Sequence, residues 1–248
     1  MKSNINKLAV LICGEFRTWE IGSKYIFEYA ENQAVHVDYY FATWDTSNYP
    51  NLKEFQRKIK ITDQDITEKF TNKKLIDYKI INSEIYQSFK FTFYHQAYLA
   101  KIANILKRKY ELENDFIYDQ VLELRPDLFI PKKLKNLLTL CKNFEYSISH
   151  SFYYIDENPG LLDWYYRSNS FSNDILADRY YFNDPIGDIY PLMNNNHNLL
   201  YNYVTARKLV SQPNILLNHN IPSEFNEFSG ISVLTTDFPK NINSSFFW

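Results

Sequence analysis

Glycine is scarce in this chain: there are 5 in 248 residues, at Gly14, Gly22, Gly160, Gly187 and Gly230. No two stand at the spacing of G-x-G-x-x-G or G-x-x-x-x-G-K-[ST], so neither glycine cradle for phosphates is present. Cysteine is scarcer still. Cys13 and Cys141 lie far apart, which argues against a structural zinc site with close ligand pairs and gives no sign of an oxidising compartment. Cys13 sits in an apolar run and reads as a small core residue. Long hydrophobic runs are missing. The apolar run over 8–13 is too short for a signal-peptide core or a membrane span, so a soluble, cytoplasmic protein is the expectation. G-x-S-x-G and H-E-x-x-H are absent as well. Neither sign of charge dominates: 27 Lys+Arg against 29 Asp+Glu leave a net charge of −2, without the basic excess of a dedicated nucleic-acid binder.

Aromatic surface is what the chain has in plenty. The 21 Tyr, 19 Phe and 4 Trp make up 18% of it, ample to bury a core and contrary to disorder. The length suits a single domain over 1–248.

Apolar runs alternate with helical periodicities. The run LAVLIC over 8–13 has the continuous apolar character of a strand buried on both faces, and it ends at Gly14. The spacing predicts a helix over 19–31, with Ile21, Tyr25 and Tyr29 on one face. Residues 35–42 read as a second strand, stopped by a polar segment over 43–48. Between Pro50 and Pro126 there is no Pro or Gly, and the pattern is mostly helical. Thr62, with Asp65 three residues on, marks a helix start, and 79–81 a short strand. Tyr94, Ala97, Tyr98, Ile102, Ile105 and Leu106 form one face of a long amphipathic helix. Its basic run Lys107-Arg108-Lys109 reads as a solvated helix end. Residues 118–124 read as a strand, 128–131 as extended, 132–140 as a helix and 145–149 as a strand. The segment 153–172 reads as a long loop or a small excursion with a Pro159-Gly160 turn, and 177–182 as a strand. Helices are expected from Asp184-Pro185 and over 199–209, and a last strand over 231–235. The alternation predicts an α/β fold with a mainly parallel central sheet flanked by helices.

Ligands of such sheets bind beyond the carboxyl ends of the strands. Polar clusters follow three of the expected strands: Gly14-Glu15-Phe16-Arg17-Thr18, Thr43-Trp44-Asp45 and Arg125-Pro126-Asp127. If those strands are neighbours, the clusters open on one crevice. Asp127 is placed to hold a divalent cation or a ribose hydroxyl, and Arg125 a phosphate or carboxylate through its planar fork. The alternative is an Arg–Asp pair that finishes the strand. Gly14 leaves room for a ligand at the backbone, and Arg17 before a helix start suits a phosphate; the plainer alternative is a turn glycine and a surface arginine. Trp44 beside Asp45 offers a flat face to a base or sugar ring, or else fills the core. Asp178 reads as a base, a sugar-hydroxyl ligand or a helix N-cap, and His219 as a late metal ligand or a structural residue.

LAVLICGEFRT over 8–18, VDYYFATWD over 37–45 and the stretch 94–129, from His95-Gln96 to YDQVLELRPDLF, are familiar in combination. Together they resemble a family of GT-A-like glycosyltransferases found in bacterial surface-polysaccharide loci and in viruses. Asp178-Arg179-Tyr180-Tyr181 is similar to a later family motif. The chain departs from the pattern at Glu15, where Gln is usual, and at Glu123, where Arg is usual. The resemblance implies a GT-A-like, Rossmann-type fold, with a nucleotide-sugar-binding half over 1–130 and an acceptor-side half over 131–248. It implies Asp127 as the ligand of Mn²⁺ or Mg²⁺ or of the ribose, with Arg125 its neighbour. Gly14, Arg17, Trp44 and Asp45 then line the nucleotide pocket, and Gln96 faces it from the long helix. The activity implied is hexosyltransferase-like: transfer from a nucleotide-sugar donor to a glycan acceptor in polysaccharide synthesis. Asp178 is the catalytic base if the reaction inverts the anomeric centre. Two alternatives stand beside it: a non-catalytic carbohydrate- or nucleotide-binding protein of the same fold, and an unrelated α/β enzyme that uses Asp127 in phosphate chemistry. The aromatic segment 152–171 suits stacking on sugars under either of the first two readings.

Overall fold

The computed structural model describes residues 5–16, 19–47, 59–88, 92–130, 147–150, 152–155, 158–161, 165–179, 210–213 and 232–233. The chain opens with β1 (Ile5–Cys13), α1 (Trp19–Glu31) and β2 (Ala34–Trp44). Two short strands, β3 (Thr46–Ser47) and β4 (Ile59–Lys60), pair antiparallel beyond β2. Then follow α2 (Asp63–Thr67), β5 (Leu75–Ile81), α3 (Thr92–Glu113), β6 (Gln120–Leu124) and β7 (Leu128–Phe129). The later described elements are β8 (Ser147–His150), β9 (Phe152–Ile155), β10 (Asn158–Leu161), β11 (Tyr165–Ser168), α4 (Ser170–Ala177), β12 (Val210–Pro213) and β13 (Ser232–Val233).

A seven-stranded sheet runs in the order β12-β8-β11-β6-β1-β2-β5. β1 pairs parallel with both β2 and β6, β2 with β5, and β12 with β8; only β11 runs antiparallel to its neighbours, β6 and β8. This is the mainly parallel α/β sheet that the alternating pattern predicts. β1 is central and buried on both faces, which explains its unbroken apolar run. Leu8, Val10 and Ile12 join a cluster with Trp19, Ile26 and Phe27 of α1, Tyr39 and Phe41 of β2, and Phe70. The rings interlock: Trp19 lies 4.9 Å from Phe41 and stacks on Phe70 at 5.7 Å between centroids. On the other face Ala9, Leu11 and Cys13 pack with Tyr40 and Trp44 and with Leu99, Ala100 and Ala103 of α3. Among the described residues, no helix is long and apolar enough to cross a membrane.

Several local expectations hold to the residue. The helix expected over 19–31 is α1, and Thr62 caps α2 in a capping box with Asp65. Others need correction. β2 runs past residue 42 to Trp44 because Thr43 and Trp44 pair with Ile80 and Ile81 of β5. The region between Pro50 and Pro126 is less helical than its pattern: β5 begins at Leu75, four residues before the expected short strand. The expected loop over 153–172 is instead a β9–β10 hairpin, then β11 and the start of α4. Pro159 and Gly160 lie inside β10, opposite Tyr154 and Tyr153; both strands of a two-stranded ribbon are edges, where a missing N–H is tolerated. The expected strand at 177–182 is wrong where it is described. Asn169 accepts from the Ser172 amide at 2.8 Å and starts a helix that ends at Ala177, with Asp178 as its C-cap. The elements expected over 132–140, from 184 and over 199–209 lie outside the described residues, as does His219.

The basic run on α3 also differs from its reading. The helix continues to Glu113, so Lys107 is not at its end and is fully buried. Its Nζ donates to Ser170 Oγ at 2.6 Å and to Asp174 at 3.0 Å. Ser170 Oγ in turn donates to Glu111, which also accepts the Tyr118 amide at 3.0 Å. Burial lowers the Lys107 pKa despite Asp174 and Glu111 beside it. This polar cluster fastens α4 to α3.

At the amino-terminal edge of the sheet Tyr118 donates to Asp38 at 2.7 Å, and Tyr40 and Tyr118 share a hydroxyl contact of 2.8 Å. Burial raises the pKa of Tyr39, Tyr40 and Tyr118 above the ordinary 10.0; the hydrogen bonds of Tyr118 to Tyr40 and Asp38 raise its value further. An unfolded chain loses these protons near pH 10 while the folded chain keeps them, so folding stability falls as pH rises above about 10. Melting temperature against pH should show that decline, and Tyr118→Phe should flatten it; an unchanged slope contradicts the assignment.

Candidate active site

From β1 the chain crosses through α1 to β2 on one side, and later returns through α3 to β6 on the other side of β1. α1 and α3 cover opposite faces. The winding therefore reverses between β1 and β6, and their carboxyl ends flank the crevice where doubly wound sheets bind ligands. Two of the three polar clusters, after β1 and after β6, border this point, and the third follows the adjacent β2.

The packing there is unusually close. Gly14 has φ +148, a conformation that side chains rarely adopt, and a Cβ on it would stand 2.9 Å from Pro126 Cδ and 3.2 Å from Gln96 Oε1. A methyl on Gly22 of α1 would overlap the Pro126 carbonyl oxygen. Two glycines thus make room for one proline turn. The space opened by Gly14 is filled by Pro126 and Gln96, and its amide donates to Ala42 O at 3.2 Å. Gln96 reaches in from α3 and donates to Cys13 O at 2.7 Å, so α3 is tied to the same point.

Arg125 and Asp127 form a bidentate pair: Nε donates to Oδ1 at 2.9 Å and Nη2 to Oδ2 at 2.6 Å. Asp127 is 1% exposed. Asp45 is half-buried; its Oδ1 accepts the Ser83 amide at 2.8 Å, while its own amide donates to Ile81 O and its carbonyl accepts from Ile61. It thereby ties the ends of β2 and β5 together. Trp44 is 1% exposed, stacked on Tyr98 at 5.8 Å with His95 at its edge, and it fills the core beneath the strand end. Arg17 lies outside the described residues, and Glu15 is half-buried beside Gly14. Asp178 is exposed at the C-terminal end of α4 and pairs with Lys101 of α3.

Glu123, two residues before Arg125, is fully paired inside the protein. Its carboxylate meets the Arg179 guanidinium, and both side chains are 2% exposed. Arg179 also donates to Leu176 O at 3.1 Å and lies over the Tyr166 ring. The buried charge of Glu123 is therefore balanced by Arg179. Sequence reasoning missed this pairing and the role of Gly22. A glycine inside a helical pattern, in a chain with so few, was the available signal for Gly22.

The resemblance implies a divalent cation on Asp127. Among the described residues, no group of three or more His, Cys, Asp or Glu side chains is gathered to hold one. Both Asp127 oxygens are engaged by Arg125. The described donors do not fit a cation held by the protein at this point.

No protein-family model and no curated protein sequence matches the chain. Solved structures similar to it include three of glycosyltransferases. Two are of the glycosyltransferase GlyE from Streptococcus pneumoniae TIGR4. The apo form is 14% identical with a TM-score of 0.47, and the other structure 15% identical with 0.46; each match covers 84% of this chain. The chain spans 45% of the length of GlyE. The third is a glycosyltransferase involved in glycosylation of the major capsid of PBCV-1, 11% identical with a TM-score of 0.44, over 86% of this chain and 84% of that one.

Substitutions at two places test this geometry. Gly→Ala inside a helix ordinarily stabilises by up to about 1 kcal/mol. At Gly22 the overlap with a backbone carbonyl wins, so Gly22→Ala should lower stability by about 1–3 kcal/mol in chemical denaturation. Glu123→Leu and Arg179→Met each leave a buried charge unpaired and should cost about 3–5 kcal/mol. The pair Glu123→Leu with Arg179→Met should cost far less than the sum of the single changes in a double-mutant cycle; additivity contradicts the pairing.

Proposed function

We propose that this protein is a cytoplasmic glycosyltransferase of the GT-A-like kind, moving a sugar from a nucleotide-sugar donor to a glycan acceptor in surface polysaccharide synthesis. The observation that carries the reading is the seating of the Arg125-Pro126-Asp127 turn against Gly14 and Gly22, at the point where the winding of the sheet reverses. The three segments that resemble the family are the ones that build this point.

In this reading the donor diphosphate lies over the carboxyl ends of β1 and β6. Negative charge builds on it as the bond to the sugar breaks, and a cation placed beforehand lowers that barrier. Asp127 holds the Arg125 guanidinium flat and fixed for the leaving diphosphate, and Arg17 joins the proposal as a second phosphate-binding cation on the sequence alone. Gln96 keeps α3 against the end of β1. Asp178 takes the proton of the acceptor hydroxyl if the reaction inverts the anomeric centre. Mn²⁺ or Mg²⁺ belongs to the proposal through the resemblance alone, and no step here runs through it.

A thermal-shift panel of UDP, GDP, CDP and ADP, each with and without Mn²⁺, tests the reading. At 100 times its Kd a ligand stabilises by about 2.7 kcal/mol, roughly 5–10 °C for a chain of this size. At least one nucleoside diphosphate should give such a shift, and Asp127→Asn and Arg125→Lys should each remove most of it. No shift with any of them contradicts the proposal. Glycan binding without turnover of any sugar nucleotide favours a binding protein of this fold. A response to phosphorylated metabolites regardless of nucleoside favours phosphate chemistry at Asp127.

A further inference from the structure

A second cleft lies away from the strand ends, between α3 and α4. Its volume is about 590 Å³, within the usual range of small-ligand sites. α3 supplies Lys101, Asn104, Ile105, Arg108 and Leu112, and α4 supplies Asp174 and Asp178. It is built on a fixed frame, because the buried Lys107–Ser170 contact locks the two helices together.

Three features define what it would take. The charges come in facing pairs: Lys101 meets Asp178, and Arg108 meets Asp174 at 3.3 Å. With Lys109 and Glu113 also in the lining and paired at 4.0 Å, three basic groups balance three carboxylates, so neither an anion nor a cation is favoured and the site suits a neutral ligand with many donors and acceptors. Asn104 borders the cleft at 3% exposure, and among the described residues no donor reaches its Oδ1. That oxygen is withdrawn from the open surface of the cleft, so a ligand hydroxyl meets it only when the Asn104 amide turns outward, and until then the missing hydrogen bond costs free energy. Ile105 and Leu112, 47% and 72% exposed, give the rim an apolar surface for C–H groups. An entirely apolar ligand would leave Asn104 and the ion pairs unmet.

We propose that the α3–α4 cleft binds a neutral oligosaccharide, the part of the acceptor glycan that runs on from the reacting hydroxyl at the Asp178 end of the cleft. The neutral polyhydroxyl class follows from the cleft alone; its identity as acceptor rests on the glycosyltransferase reading. Distance is compatible with one ligand reaching both places. Lys101 follows Gln96 by five residues, about 7 Å along the helix.

Saturation-transfer NMR on the full chain tests this, with neutral tri- and tetrasaccharides of glucose, galactose, mannose and N-acetylglucosamine as probes. A trigalacturonate and a glucosamine trimer serve as anionic and cationic controls. Asn104→Leu removes the oxygen at nearly constant shape and loses no existing hydrogen bond to it, so its melting temperature should equal or exceed that of the parent. Ile105→Glu alters the exposed rim. At least one neutral probe should bind the parent, more tightly than either charged control, and both variants should weaken it tenfold or more. Their thermal shift with nucleoside diphosphates should be unchanged. The proposal is overturned if no neutral probe binds, if Asn104→Leu binds as the parent does, or if a charged control binds best. A parent that binds the saccharide but no nucleoside diphosphate would sink the glycosyltransferase reading while leaving the cleft assignment intact.

Discussion

Pro126 occupies space that a side chain on either of two glycines would take. Gly14 ends the central strand, Gly22 lies in the first helix, and the proline turn presses against both. Close packing of this sort is unforgiving, since protein interiors give little when a methyl is added. The turn joins the end of β6 to α1 and to the end of β1, and Gln96 brings α3 to the same place. Four elements from distant parts of the first half of the chain meet around one ring. A site that must hold a diphosphate in a fixed orientation needs such a floor.

Charge is used inside this fold as a fastener. Arg125 grips Asp127 within the turn, Arg179 grips Glu123 beneath it, and Lys107 holds Ser170 and Asp174. The last two bind α4 to β6 and to α3. In each pair at least one partner, Asp127, Lys107 or both Glu123 and Arg179, is withdrawn from water, where an unpaired charge is costly. The helix that carries Asp178 and half of the α3–α4 cleft is therefore positioned by the same residues that finish the floor of the crevice. The two candidate sites share a rigid wall and differ in character. One offers arginine to an anion, and the other offers balanced charge to a neutral ligand.

Much of this was legible in the amino-acid sequence. The apolar run of β1, the periodicity of α1 and the capping box at Thr62 are local signals, and local signals survive folding. So was the meeting of the clusters after β1 and β6, because right-handed crossovers leave few ways to order parallel strands. What was not legible depends on long-range partners. Lys107 reads as a surface lysine until Ser170 and Asp174 come to it from 63 and 67 residues away. Trp44 could serve a ligand or the core until Tyr98 covers it. α4 hid in an aromatic, polar segment because only Asn169 marks its start, and Pro159-Gly160 suggested a turn where a ribbon strand runs. Asp127 could be an open ligand or the partner of Arg125 until the backbone of the turn sets the two face to face.

The most direct measurement of the central claim is an amide NMR titration of the isotope-labelled chain with the nucleoside diphosphate that stabilises it best. The account predicts that the largest shift changes fall at Gly14, Glu15, Arg125 and Asp127, around the reversal point between β1 and β6. Changes concentrated elsewhere, with these four amides undisturbed at saturation, would contradict it.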